Sequence, residues 1–320
     1  MTEPVIQGTF IGLNDRTGAF DRGDWRRCFD EMEKVGLRFV IPTPCSQIID
    51  KPGAFYASVE LPLAANTDVL SIIMEEVKHR GMEIYLSTPM IPYGPRSDIA
   101  TWMEQAKEET YRLNLELWKA YEGHPSWKGW YISHEIHELW FLEPQSRQQA
   151  MIDYHRHITD QVRKLSPEMK ILIAPFFTLE FSPPRSPDEL RLAWTAFLQA
   201  VDIDILMLQD GRGSNRGIEE PDVQVIFEAV RRACDETSIA FWADVETFNL
   251  IPNSNGTPGY LQPTDFARLR GQLETVAKYT ERIGIWEFIS TMLYPPSARD
   301  TVAASQLLKE YGAYAKRRHM

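Results

Sequence analysis

A chain of 320 residues with 43% hydrophobic content can bury a full core, and its size suits either one large α/β barrel or two ordinary domains. Its 34 basic and 45 acidic residues leave a net charge of −11, which argues against nucleic acid or an anionic membrane as a partner and favours a neutral or cationic small molecule. Cys28, Cys45 and Cys234 are too few and too scattered for a disulfide framework or a paired-cysteine metal knuckle, so buried thiols are expected.

The start, MTEPVIQGTF, lacks a basic segment followed by an apolar stretch, and no apolar run approaches membrane-spanning length. A cytoplasmic chain is expected, or a secreted one if a leader has been removed. The terminal run Lys316, Arg317, Arg318, His319 reads as a solvated helix end.

Val5 to Leu13 alternates as a first strand, and after a turn-rich loop Asp24 is expected to cap a helix running to Gly36. Leu37 to Ile41 is a short apolar strand stopped by Pro42 and Pro44. A long irregular segment then precedes the helix Asp68 to Arg80, closed by Gly81. Met82 to Ser87 is the third strand, and Ser97 or Asp98 starts a long helix with Trp102, Leu113, Leu117 and Tyr121 on its apolar side. The stretch GWYISHEIHE, Gly129 to Glu138, supplies the fourth strand and ends in a dense cluster of carboxylate and imidazole groups. Such groups are expensive to bury without partners, so a strand ending in them points to a site.

Pro144 opens the next helix, which Ser166 and Pro167 end, and Lys170 to Phe176 is a fifth strand. Asp188 to Val201 reads as helix, Ile203 to Leu208 as strand six, Asp222 to Asp235 as helix and Ile239 to Val245 as strand seven. A long loop, helix Thr264 to Tyr279, strand Ile283 to Phe288 and helix Ala298 to Lys316 complete eight β-α units. Eight short apolar strands alternating with amphipathic helices, with no linker between them, predict a single (β/α)8 TIM barrel over residues 1–320, fold class α/β. A doubly wound sheet is the alternative, but the first β-α turn reads GLNDRTG rather than a dinucleotide-binding GxGxxG. The loop with Gly211, Gly213 and Gly217 lacks the lysine and hydroxyl pair of a phosphate loop and reads as a tight β-α turn.

In such a barrel the site lies where the strands end. Glu135 ends strand four, Asp210 strand six, Glu246 strand seven and Glu287 strand eight. Period-two alternation puts Trp242 and Asp244 on the face of Glu246, and Tyr131 and Ser133 on the face of Glu135. Two facing glutamates are what glycoside hydrolysis requires: one protonated to assist the leaving group, one ionised to attack or to activate water. Glu135, among apolar strand residues, is the expected acid because desolvation favours its neutral form, and Glu246 is the expected nucleophile.

The segment AYEGHPSWKGWYISHEI resembles the corresponding segment of retaining TIM-barrel glycoside hydrolases, with Tyr121, His124, Pro125, Gly129, Trp130 and Glu135 at the matching positions. The resemblance implies that Glu135 is the acid/base, and WADVETF places Glu246 where that superfamily carries its nucleophile. With GTFIG, LQDGRG and WEFISTM, nearly the whole chain is similar to a glycoside-hydrolase-like TIM-barrel family of unassigned function. The hydrolases carry Asn immediately before the acid/base glutamate. His134 stands there in this chain, where it is expected to donate a similar bond to a sugar hydroxyl.

The remaining expected substrate contacts are Asp210, Glu287, Gln209, Asn14, Tyr93, Trp140 and Trp286, with the aromatics offering rings on which sugar faces stack. Trp140, just beyond the acidic cluster, is the leading stacking candidate. A carbohydrate substrate and no cofactor are implied, and oligomeric state is left open. Two alternatives stay open. The cluster His134, Glu135, His137 and Glu138, joined by Asp210, Glu246 or Glu287, has the ligand types of a divalent-metal sugar isomerase or epimerase, although HEIHE is not the HExxH helix motif. A noncatalytic carbohydrate-binding barrel is the other, since fold and aromatic lining do not ensure turnover.

Overall fold

The computed structural model describes residues 4–48, 52–91, 99–136, 145–177, 186–214, 217–252 and 259–317. Eight parallel strands close into a barrel: β1 Gly8–Gly12, β2 Phe39–Thr43, β3 Glu83–Ser87, β4 Trp127–Ile132, β5 Lys170–Ile173, β6 Ile205–Gln209, β7 Ala240–Glu246 and β8 Arg282–Trp286. Each strand pairs with its sequence neighbours and β8 returns to β1 through Gly8↔Gly284 and Thr9↔Ile285, so no edge is left open. The helices that follow them are α1 Arg22–Lys34, α2 Val69–Arg80, α3 Ile99–Tyr121, α4 Gln145–Leu165, α5 Pro187–Ala200, α6 Glu220–Thr237, α7 Phe266–Val276 and α8 Thr301–Lys316. The expected (β/α)8 TIM barrel is the fold observed.

The strands are apolar on both faces because each face is covered. Residues such as Ile11, Val40, Leu86, Ile132, Leu208 and Val245 point outward into the layer beneath the helices. Inside, Phe10, Phe39, Tyr85, Tyr131, Met207 and Trp242 fill the barrel. Several of their rings meet edge-on, as Tyr85 and Trp242 do 5.8 Å apart at 85°, a geometry that suits the ring quadrupole. Gly284 makes room for this filling: a Cβ there would stand 2.4 Å from Met207 Cε and 3.2 Å from Phe39 Cζ. At the N-terminal end of the strands Arg282 lies 4.8 Å from the centres of both the Phe39 and Trp242 rings and pairs with Glu83 at 2.7 Å. Outside the barrel, Trp118 and Trp194 pack in the layer between helices and strands, Trp118 against Trp127 at 5.4 Å.

Several boundaries differ from the sequence reading for local reasons. Helix α1 is capped by Asp21, not Asp24; the two form a capping box in which each carboxylate accepts the other's backbone N–H, at 2.8 and 3.0 Å. The long segment after β7 is a hairpin, Phe248–Ile251 antiparallel to Tyr260–Pro263. A shorter ribbon, Ser46–Gln47 with Gly53–Ala54, forms after β2. No helix of the described residues is long and apolar enough to cross a membrane.

Candidate active site

The inward and outward alternation of the strands decides which polar residues meet. On β7, Trp242 lies in the inner cluster, so Asp244 and Glu246 follow it on the inner face. Across the sheet Asp244 pairs with Gln209 on one side and Gly284 on the other, and Glu246 pairs with Trp286. On β4 Tyr131 is inward, and Glu135, half-buried just past the strand end, accepts a 2.8 Å bond from Gln209 Nε2. Gln209 also donates to the Ala174 carbonyl at 3.0 Å, which fixes its amide between β5 and β4. Glu135, Gln209, Asp244, Glu246 and the half-buried Trp286 thus belong to one barrel mouth.

Glu246 is held by the loop after β6. Its Oε2 accepts the N–H of Gly213 at 2.5 Å and of Ser214 at 3.0 Å, bonds of the charge-assisted kind that orient a carboxylate. Gly213 has to be glycine for this approach. A Cβ would stand 2.5 Å from the Phe248 carbonyl oxygen and 2.9 Å from Glu246 Cβ. The glycine-rich stretch is therefore a carboxylate-holding loop, with Gly211 and Gly217 in the left-handed region at φ 66° and 71°. Backbone donors of this kind leave no trace in residue type, which is why sequence reading finds the turn and misses its contact.

Behind the strands sits a supporting polar layer. Asp210 is fully buried and faces α7: Oδ2 accepts Gln272 Nε2 at 2.6 Å, while Oδ1 accepts the backbone N–H of Glu246 at 3.1 Å and of Arg212 at 3.2 Å. Burial pushes its carboxyl above the usual range and these donors pull it back. Arg268 of α7 donates to the carbonyls of Glu246 and Phe248. The structure thus gives Asp210, expected as a sugar contact, the work of fixing the ends of β6 and β7.

Other expected contacts also turn toward protein. His134 points outward to α4: Nε2 faces the Ile91 carbonyl at 3.1 Å and Nδ1 the Tyr154 hydroxyl at 2.7 Å. Burial pushes the ring down to about 4, so it is neutral at neutral pH. A carbonyl only accepts, so Nε2 carries the hydrogen and Nδ1 accepts from Tyr154. Both ring nitrogens are thereby engaged with protein, away from the inner face that carries Glu135. Glu287, beyond a cis Trp286–Glu287 peptide, is buried and accepts the Gly12 N–H at 3.0 Å. Burial raises its carboxyl above the usual range, against the pull of Ser290, Gly12 and Arg16. Asn14 is exposed and organises its own loop, accepting from the N–H groups of Arg16 at 3.0 Å and Thr17 at 3.2 Å. Tyr93, Trp140, His137 and Glu138 lie outside the described residues.

Asp244, placed by strand alternation on the face of Glu246 but given no role from sequence, is also a member of the mouth. It is 1% exposed, and its buried Oδ1 has no hydrogen-bond partner among the described residues. Burial raises its carboxyl far above the usual range, and the charges of Glu246, Asp210 and Glu135 raise it further. Among the described residues no group of three or more His, Cys, Asp or Glu side chains is placed to hold a metal ion.

The molecule is a closed parallel (β/α)8 barrel with glutamates at the ends of β4 and β7. The chain belongs to the family described as a domain of unknown function, DUF4434, which it matches over residues 6–300. Among curated proteins no sequence matches it significantly. In fold it is similar to a candidate α-L-fucosidase from Bacteroides thetaiotaomicron, with a TM-score of 0.77 at 20% identity over 98% of this chain and 94% of that one. It is also similar to the endo-1,4-β-D-mannanase of Thermotoga petrophila, with a TM-score of 0.61 at 12% identity over 99% and 100%. The intracellular xylanase of Thermoanaerobacterium saccharolyticum gives a TM-score of 0.55 at 10% identity over 92% and 90%. At these identities the likeness is one of fold.

Proposed function

We propose that the chain hydrolyses glycosidic bonds in an oligosaccharide, polysaccharide or simple glycoside, with Glu135 as acid/base and Glu246 as nucleophile of a retaining mechanism. The observation that carries this reading is the arrival of two glutamates from β4 and β7 at one mouth, each anchored by its own donors: Gln209 for Glu135, Gly213 and Ser214 for Glu246. In the first step the Glu246 carboxylate bonds to the anomeric carbon, the bond to the leaving oxygen breaks, and Glu135 gives that oxygen its proton. In the second, Glu135 takes a proton from water, the water oxygen bonds to the anomeric carbon and Glu246 leaves. Trp286, paired with Glu246 and half-buried, offers a ring face to a sugar. The glycosidases that share this fold, named for mannan and xylan chemistry among others, add support from architecture.

A panel of aryl glycosides and oligosaccharides tests the reading. Glu135→Gln and Glu246→Gln should each lower turnover by ~10²–10⁴-fold, the scale of one lost acid–base or nucleophilic contribution. The first-formed product should keep its anomeric configuration, as read by proton NMR. Unchanged turnover in both variants would sink the assignment. Activity removed by a chelator and restored by Mn²⁺ or Mg²⁺ would favour a metal-dependent isomerase, and binding without turnover a carbohydrate-binding barrel.

A further inference from the structure

Asp244 has no evident structural use. It points from β7 into the barrel between Gln209 and Gly284, one layer below Glu246, and the inward residues deeper on the same strand are the apolar Trp242 and Ala240. A carboxyl group in that position gains no packing that an apolar residue would not supply, and among the described residues its buried Oδ1 meets no hydrogen-bond donor. The charged groups that act on it are Glu246 from its own strand, Glu135 from the end of β4 and, from behind the sheet, Asp210 at the end of β6. All three are carboxyls, and among the described residues no cation accompanies them. Of these, Asp210 is tied to Gln272 and two backbone N–H groups, and Glu246 to two more. Donors of that kind suit ionised acceptors, so Asp244 is the member of the set best left uncharged.

We propose that Asp244 is a positioning residue of the candidate active site: a third inward carboxyl that stays protonated beneath Glu135 and Glu246 and so keeps a neutral group where a third charge would disturb both. The role rests on the glycoside hydrolase reading, whereas the protonation state does not. With Asp244 neutral, Glu246 can remain ionised for attack without facing a like charge on its own strand. The carboxyls then titrate as a linked set rather than one by one, so the basic limb of activity belongs to the set and not to Glu135 alone.

The experiment compares the full-length wild type with the isosteric Asp244→Asn. A carboxyl that holds its proton in the fold and releases it on unfolding makes wild-type stability fall as pH rises above the unfolded value of about 3.9. The asparagine does not titrate, so Asp244→Asn should melt above wild type at pH 7, by at least about 2 °C, and the difference should vanish toward pH 4. A difference that does not grow with pH would overturn the proposal. Glu246→Gln tests the link between the two residues without any substrate. Removing the Glu246 charge should reduce the gain from Asp244→Asn at pH 7, and strictly additive melting shifts would show that Asp244 does not act through Glu246. Should Asp244→Asn fail to fold, infrared spectra of the wild type with ¹³C-labelled aspartate decide the matter: a protonated aspartic acid band persisting at pH 7 is expected, and its absence overturns the proposal. Where a glycoside is turned over, the basic limb of kcat/KM in Asp244→Asn should move by at least about half a pH unit, and superimposable profiles would refute the positioning role. Absence of turnover on every glycoside would count against the hydrolase reading and leave the melting and infrared outcomes standing.

Discussion

His134 makes the fold acid-sensitive in a way that asparagine, its counterpart in the hydrolases this segment resembles, would not. Its ring is held neutral down to about 4 by burial, against about 6.5 in an unfolded chain. Unfolding therefore takes up a proton in the window between those values. The stabilising contribution of the neutral ring is complete above about pH 6.5 and is lost as pH falls toward 4, at up to ~1.4 kcal/mol per pH unit. His155, which faces the His134 carbonyl and is also pushed down by burial, adds a loss of the same sign. Urea titrations of His134→Asn across pH 4 to 7 should show a shallower acid limb than wild type; an identical limb would mean the ring is not its source. The inward placement of Asp244 and Glu246 could be read from the alternation of WADVE, but the lack of a partner for Asp244 could not. That depends on what flanks the strand from β6 and β8, at Gln209 and Gly284, which are far from Asp244 along the chain.

Among the elements, the loop after β6 departs most from what its residues suggest. Its glycines read as a turn, and they do make one, yet its two N–H groups also fix a glutamate on the neighbouring strand. Replacing Gly213 by alanine should push the loop away from Glu246 and the Phe248 carbonyl, with which a Cβ would collide. Turnover should fall by ~10²-fold, the scale set by a misplacement near 1 Å, while circular dichroism stays that of the wild type. Full activity would show that the N–H groups are dispensable. The strands were legible as elements because a strand covered on both faces needs an unbroken apolar run, and LQDGRG or WADVETF marks where the run stops. Caps were legible only to within a turn. Asp21 and Asp24 are both good capping residues, and their reciprocal bonding, not their identity, sets the first residue of α1.

For the whole molecule, the count of eight β-α units made the closed barrel legible, because parallel strands in sequence order have few other ways to cover every edge. How the ring is sealed was not. The β8 to β1 seam rests on two paired positions and is reinforced from outside, where the buried Tyr311 hydroxyl of α8 accepts the Ile6 N–H at 2.8 Å and Tyr314 donates to the Pro4 carbonyl at 2.8 Å. Tyr311→Phe strands that N–H and should lower unfolding stability by ~1–3 kcal/mol in urea; an unchanged midpoint would place the seam's strength elsewhere. The hold of the β6 loop on Glu246 has a consequence for descent within such barrels. If each loop evolved as a separate cassette, the stretch between β6 and α6 could be exchanged among relatives while the reaction persisted. Here the glutamate and the donors that orient it come from adjacent units, and a residue of α7 grips the strand end between them. A transplanted loop would have to bring its own N–H geometry to the Glu246 strand, so exchanging this loop alone should cost Glu246 its anchor.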